Sequence, residues 1–385
     1  MRLLTLLLLL ILGIPTLAAQ STVLEPVSPV DLRASYSTSS LAVPEVWADD
    51  AGHVVAAFPA KPVGASNTSP STPFVACKSG SSWEVTELEL PDVHSLGSTA
   101  RLQLVGKWGD LYCFVKWGRK EYYYYTSTNG TNWSGPKVAA TLYSSSDPGT
   151  ARAGYVQDTP FFCCNQSGGA NTKGQWFFCK QGSSFQGVRI AQRFVGSNYT
   201  LIDSAVDDRG RIYYVFVDGS SRATILSAPS LEAAKQTTSW KVLPSDINAM
   251  ARDIWSTPHQ GLALDPASQC LWLLSGSHAG EMQLTRLPFG ATNKGASTSY
   301  TLGLPEGGTG FDYHRFVTND RGAIGLLRSW SIRQDDIARS HLTLYPISSS
   351  GVGTPLNLVR GGSDTESVTF RSSFEIGRAS CRERV

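Results

Sequence analysis

The sequence predicts an all-β fold: a six-bladed β-propeller of four-stranded antiparallel blades, or a seven-bladed one whose closing part is cut off at the C-terminus. Three observations carry this. No segment between residues 30 and 370 sustains a 3.6-residue apolar period, and Leu231 to Gln236 offers a single helical turn at most. A short apolar run, a tight turn and a second apolar run recur six times, with turns near residues 50, 109, 158, 208, 266 and 320. An aromatic residue after a Ser- or Thr-rich turn follows in step, at Trp83, Trp133, Phe185, Trp240 and Tyr300. Both markers share a period of about 50 to 60 residues, the length of a four-stranded blade, and radial closure of such units hides the strand edges. A pair of β-sandwiches also has regular short strands, but two markers in phase over six units favour the propeller.

The six hairpins lie at 46–58, 104–115, 155–164, 205–217, 262–274 and 316–327. Each carries Asp, Asn, Gly or Pro in its turn, because those residues accept the backbone angles a tight reversal needs. Val, Ile, Tyr, Phe and Trp fill the flanking runs, as strands prefer. EYYYY (121–125) reads as a strand whose tyrosines alternate between core and surface. A single propeller domain is expected over residues 30–374.

The ends read differently. Met1 and Arg2 precede the apolar run LLTLLLLLILGI, then Pro15 and small residues near Ala19. This is the order of a cleaved secretory signal peptide over residues 1–19. No other apolar stretch reaches the roughly 20 residues of a membrane span. The protein is therefore expected outside the cell, or in the periplasm of a Gram-negative bacterium. Residues 375–385 (EIGRASCRERV) turn abruptly Arg-rich and match the in-frame translation of a sequencing-library adapter. The native chain is expected to run past Phe374.

The whole chain of 385 residues has 33 basic and 31 acidic side chains. Setting aside Arg2, Arg378, Arg382, Arg384, Glu375 and Glu383 leaves 29 of each. A neutral chain argues against binding nucleic acid through phosphate neutralisation. Of seven cysteines, Cys381 lies in the adapter-like tail. The even set that remains suits an exported protein, with Cys163 or Cys164 expected to bridge Cys179 across a blade. Sequons at Asn67, Asn129, Asn132, Asn165 and Asn198 would permit glycosylation in a eukaryotic host.

The turn from Tyr125 to Trp133 (YTSTNGTNW) resembles the Asp-box, or BNR, repeat, Ser-x-Asp-x-Gly-x-Thr-Trp. Asn129 stands at the Asp position and the spacing is one residue shorter. GSSW (80–83) and TTSW (237–240) resemble degraded copies. The resemblance points to the sialidase-like family of secreted propellers and covers nearly the whole chain. It implies that the box is a turn between the outer strands of a blade, away from the substrate face, with its Trp packed between blades. For the site it implies three Arg on a carboxylate, a Tyr nucleophile activated by Glu, and an Asp acid/base. The family's opening Arg-Ile-Pro is absent here; Arg33 is the nearest N-terminal Arg, and no Tyr/Glu pair stands out.

A propeller binds its ligand at the central mouth, on segments leading into the innermost strands. Those segments hold Arg101, Arg152, Asp203, Arg252, Asp253, His259 and the run Asp312, Tyr313, His314, Arg315. Arg152, Arg252, Arg315, Asp203 and His259 are the candidate substrate-binding residues, since the guanidinium fork matches a sugar carboxylate. Tyr313, His314 and Asp253 are the candidate catalytic groups. In β-elimination an Arg neutralises the uronate while Tyr or His moves the proton. Strand alternation would put Tyr313 and Arg315 on one face and His314 on the other. Arg252 and Asp253 also read as an ion pair bracing two loops.

No metal-ligand spacing, calcium loop or phosphate-cradling Gly loop occurs, so no metal or cofactor is expected. Asp207 to Gly210 reads as a plain turn. Two function classes follow: an enzyme acting on acidic extracellular glycans, by hydrolysis or elimination, and a non-catalytic glycan-binding lectin. A lectin should repeat matched polar and aromatic residues in every blade, whereas charge here concentrates in the later blades, which favours one central site. The expected partner is an extracellular glycan or polysaccharide, and the expected state a monomer.

Overall fold

The computed structural model describes residues 36–38, 45–49, 51–62, 64, 71–79, 82–89, 102–117, 121–141, 151–166, 174–191, 200–217, 223–243, 262–276, 282–289, 297–302, 308–319, 322–334 and 337–359. They form six antiparallel sheets arranged as a six-bladed β-propeller. Blade 1 has an innermost position shared by β1 (Tyr36–Thr38) and β2 (Glu45–Ala48), followed by β3 (Val54–Pro62), β4 (Thr72–Ser79) and β5 (Ser82–Glu87). Blade 2 is β6 (Leu102–Lys107), β7 (Asp110–Trp117), β8 (Glu121–Ser127) and β9 (Ser134–Thr141). Blade 3 is β10 (Arg152–Val156), β11 (Thr159–Gln166), β12 (Gly174–Gln181) and β13 (Ser184–Ala191).

Blade 4 is β14 (Thr200–Val206), β15 (Ile212–Val217), β16 (Ala223–Ala228) and β17 (Lys241–Leu243), with the one-turn helix α1 (Leu231–Ala234) between the last two. Blade 5 is β18 (Leu262–Asp265), β19 (Cys270–Gly276), β20 (Met282–Pro288) and β21 (Thr298–Leu302). Blade 6 is β22 (Gly308–Asn319), β23 (Gly322–Gln334) and β24 (Ile337–Ser348), with β25 (Gly351–Val352) and β26 (Leu356–Val359) sharing its outer edge. Each hairpin read from the sequence joins the first and second strands of one blade. Among the described residues, no helix is long and apolar enough to cross a membrane.

The core lies between blades. Leu102, Leu104, Leu111, Cys113 and Tyr125 of blade 2 pack against Val55, Ala57 and Val75 of blade 1. The alternate residues Tyr112, Phe114, Tyr122 and Tyr124 pack against Ala153, Phe162 and Phe178 of blade 3. A middle strand is thus buried on both faces, which corrects the reading of EYYYY. Tyr122, Tyr123, Tyr124 and Tyr125 are all buried, because the surface expected on one side is covered by the next blade. The aromatic markers serve this packing. Trp133, Phe185 and Trp240 each face the preceding blade, while Tyr300 packs with the interface to the following one.

The turns at one end of the blades are capped by their own side chains. Asp49 Oδ1 accepts from the N–H groups of Ala51 and His53, and Asp207 Oδ1 from those of Arg209 and Arg211. Asp265 Oδ1 takes the Ser268 N–H, and its Oδ2 takes the Trp272 indole N–H at 3.3 Å. An Asp at the end of the first strand therefore fixes the hairpin, the local bonding that makes Asp a turn residue.

The turn resembling an Asp box connects β8 to β9 at the same end. Ser127 Oγ accepts from the Gly130 N–H at 2.9 Å, and Asn129 Oδ1 from those of Thr131 and Asn132 at 3.1 and 2.9 Å. Asn129 thus supplies the acceptor that Asp would. Gly130 has φ +75°, and a Cβ there would stand 2.8 Å from Cys77 Sγ, so only glycine fits.

His53 and Asp49 add an acid-sensitive element. The His53 Nδ1 lies 2.8 Å from Asp49 Oδ2, and its ring stacks 3.8 Å from that of Trp108 in blade 2. Burial works to raise the Asp49 pKa, but the hydrogen bonds from the His53 ring and from the His53 and Ala51 N–H groups leave it below 3.8. A depressed carboxylate pKa gives stability that is present above the unfolded value and lost as pH falls through the folded one. Asp49→Asn is expected to lower stability at neutral pH, with the gap to the wild type closing below about pH 4. Denaturant titrations across that range check it; a gap independent of pH would contradict it.

Cys77, Cys113, Cys163, Cys164, Cys179 and Cys270 are all buried and free. This corrects the expected bridge: Cys163 faces Phe177 and Cys179 faces Phe161, so the two sit on a diagonal of the ladder. Diagonal neighbours lie about 7–8 Å apart, and a disulfide needs closer Cα atoms. Cys164 lies opposite Trp176. Burial pushes the Cys164 and Cys270 thiols up to about 12, which suppresses their reactivity. A chromogenic thiol reagent is expected to leave these six unreacted in the folded protein and to titrate all six after unfolding without reductant. Fewer than six would contradict the structure.

Candidate functional site

The innermost strands succeed one another round the axis: β6 touches β10, β10 touches β14, β14 touches β18, and β18 touches β22 and β23. Their capped hairpin ends form one face of the disc. Their starting ends, where the chain arrives from the preceding blade, form the opposite mouth.

Three of the innermost strands carry residues expected from the sequence. Arg152 is the first residue of β10, half-buried and opposite Cys163. Asp203 lies on the adjacent β14 opposite Val215, beside a register shift between Leu201 and Asp203. Tyr313, His314 and Arg315 follow one another on β22, opposite Ser329, Arg328 and Leu327. Arg152 and Arg315 each stand four residues before the end of their strand, at Val156 and Asn319. At about 3.3 Å per residue this sets both roughly 13 Å from the hairpin face. Arg101, Arg252, Asp253 and His259 lie outside the described residues.

Four residues that the sequence reading passed over stand near these positions. Glu45, the first residue of β2, is buried, and so is Gln103 of β6. Gln103 stands four residues before the end of its strand at Lys107, the position of Arg152 and Arg315. Its carboxamide bonds across to blade 3: Nε2 donates to the Ala151 carbonyl, and Oε1 accepts from the Ala153 N–H.

Tyr122 is buried with its hydroxyl making no hydrogen bond among the described residues. Burial first, then the neighbouring Cys164 and Cys113 and, least, Glu45 hold its pKa well above the usual phenol value; Arg152 pulls the other way. The phenol therefore stays protonated, a neutral group rather than a nucleophile.

Arg328 is the fourth. It is 0% exposed on β23, directly opposite His314 on one side and Thr343 on the other. Its Nη1 donates to the Leu302 carbonyl at 3.4 Å, and its guanidinium lies 5.5 Å from the centre of the Tyr345 ring. Burial lowers its pKa to about 10, against the opposing influence of Tyr345. It remains a cation at neutral pH, fixed between blades 5 and 6 behind the strand that carries His314. A lone polar residue in an apolar strand, as in LQLV and GLLRSW, is the signal that marks Gln103 and Arg328 in the sequence.

Among the described residues, no cluster of His, Cys, Asp and Glu is suited to a metal ion. The groups gathered here are guanidinium, carboxylate, carboxamide and phenol, types whose chemistry suits polar and charged ligands rather than a metal.

No protein-family model matches the chain, and no curated protein matches it. Solved structures do. A protein of unknown function from Dyadobacter fermentans is 15% identical with a TM-score of 0.45, over 80% of this chain and 97% of that one. A lectin from Burkholderia pseudomallei is 10% identical with a TM-score of 0.44, over 84% and 98% of the two chains. A Trypanosoma rangeli sialidase, solved with sialic acid, is 11% identical with a TM-score of 0.40, over 80% of this chain and 54% of the enzyme. This chain thus spans about half the length of that sialidase. At such identities the likeness concerns the fold alone.

Proposed function

We propose that the chain is a secreted, carbohydrate-active propeller of the sialidase-like, Asp-box-containing kind. On this reading it takes acidic glycans at the mouth where its innermost strands begin, and acts on them as a glycoside hydrolase or a uronate lyase. The observation that supports this best is that Arg152, Asp203 and the run Tyr313 to Arg315 belong to the innermost strands of three different blades. In a chain with balanced charge, that is a local concentration rather than a general basic surface.

On this reading Arg152, Arg252 and Arg315 grip the sugar carboxylate, each fork able to make two parallel hydrogen bonds. Asp203 and His259 bind hydroxyls. Asp253, Tyr313 and His314 supply the proton transfers, and Arg328, paired with His314 across the β22–β23 ladder, adds a buried cation that favours anionic ligands.

Incubation of the protein with sialosides and with uronate-containing polysaccharides tests the reading. Released reducing sugar marks hydrolysis, and ultraviolet absorbance of an unsaturated product marks elimination. Binding with neither product assigns the lectin class instead, and no binding to any acidic glycan overturns the proposal.

A further inference from the structure

We infer that Gln103 is the positioning residue for Arg152, reaching from blade 2 to set the direction in which blade 3 presents its guanidinium. This role rests on the acidic-glycan reading above. The two backbone groups that Gln103 holds are the carbonyl of Ala151 and the N–H of Ala153. They belong to the two peptide units on either side of the Arg152 Cα. The rotations about that Cα are the φ and ψ of Arg152, so fixing both planes fixes the vector along which its side chain leaves the backbone.

The position needs such a clamp. Arg152 is the first residue of β10, where the ladder to β11 begins and where a strand end frays most easily. β6 and β10 are inner strands of different blades with no ladder between them, so the carboxamide stands in for the missing strand partner. One side chain presents a donor and an acceptor at the spacing of a peptide group, which only Asn and Gln can do. Gln103 is itself 5% exposed, so water competes little for these bonds. Holding a charged ligand group in place in advance reduces the ordering cost of binding.

The test compares N-acetylneuraminic acid with its methyl ester, which differ in the negative charge that Arg152 would grip. Binding of both is measured by calorimetry for the wild type, Arg152→Ala, Gln103→Leu and Gln103→Glu. Gln103→Glu keeps the size and the acceptor for the Ala153 N–H but has no donor for the Ala151 carbonyl.

The wild type is expected to prefer the acid at least tenfold. Arg152→Ala should reduce that preference about tenfold, Arg252 and Arg315 holding what remains, and both Gln103 variants should reduce it severalfold while ester affinity holds. If Arg152→Ala reduces the preference and the Gln103 variants keep it in full, the positioning role is overturned and the acidic-glycan reading survives. An equal loss for acid and ester in the Gln103 variants makes Gln103 merely structural and also overturns the role. A wild type without the preference removes the acidic-glycan reading itself, and an Arg152→Ala that retains it in full removes Arg152 from carboxylate recognition and overturns the positioning role with it. Should neither Gln103 variant fold, amide exchange in the unmutated protein decides: the Ala153 N–H is expected to be as protected as the ladder amides of β11, and exchange as fast as in exposed turns overturns the role.

Discussion

Replacing Trp272 with alanine is expected to cost about 3–5 kcal/mol of stability, the usual range for deleting a fully buried tryptophan. Trp272 is 0% exposed on the second strand of blade 5, in the cluster that joins it to Phe316, Leu326, Tyr345 and Ile347 of blade 6. Alanine would remove the ring that packs 5.9 Å from Tyr300 and leave a cavity between two sheets that cannot both collapse to fill it. It would also strip the indole N–H from Asp265 Oδ2, whose other oxygen caps the hairpin turn. Trp272→Phe narrows these contributions, because it keeps most of the ring volume while removing the donor, at about 1–2 kcal/mol. Urea unfolding of the three proteins measures both. A loss below about 1 kcal/mol for the alanine variant would mean that the blade 5–blade 6 contact is not a core.

Arg152→Ala is expected to weaken binding of a carboxylated sugar by about 10- to 100-fold. That corresponds to about 1.5–3 kcal/mol, the range for a hydrogen bond to a charged group in a partly screened site. A neutral sugar of the same size should bind as before. Stability should change little in comparison, since Arg152 is half-buried at a strand start rather than within an interblade core. Salt should erode the acidic preference of the wild type. An affinity loss shared by neutral and acidic sugars would contradict a role in charge recognition.

The period of the molecule was legible because its signals are local. Each first hairpin announces itself by two apolar runs and a turn residue, and Asp49, Asp207 and Asp265 then bond within a few residues of themselves. Likewise the Tyr125 to Trp133 turn closes through Ser127 and Asn129 without help from elsewhere. What escaped the sequence depends on the neighbouring blade. Tyr122 to Tyr125 alternate as an exposed strand would, and only the blade packed on the second face buries all four. The cysteine pairing failed on register, which strand composition does not encode. Gln103 bonds to residues 48 and 50 positions away, so its hold on the backbone either side of Arg152 is visible only once β6 and β10 are side by side. Arg152, Asp203 and the run Tyr313 to Arg315 could be located because the segment ahead of a blade's first hairpin leads to the axis.

The most direct test of the central claim is calorimetric titration of the wild type and Arg152→Ala with galacturonic acid and with galactose. The account predicts that the wild type binds the acid more tightly than the neutral sugar and that the variant shows a clearly smaller preference, with Arg252 and Arg315 retaining part of it. A wild type that fails to distinguish the two sugars, or a variant that distinguishes them as well as the wild type does, would contradict it.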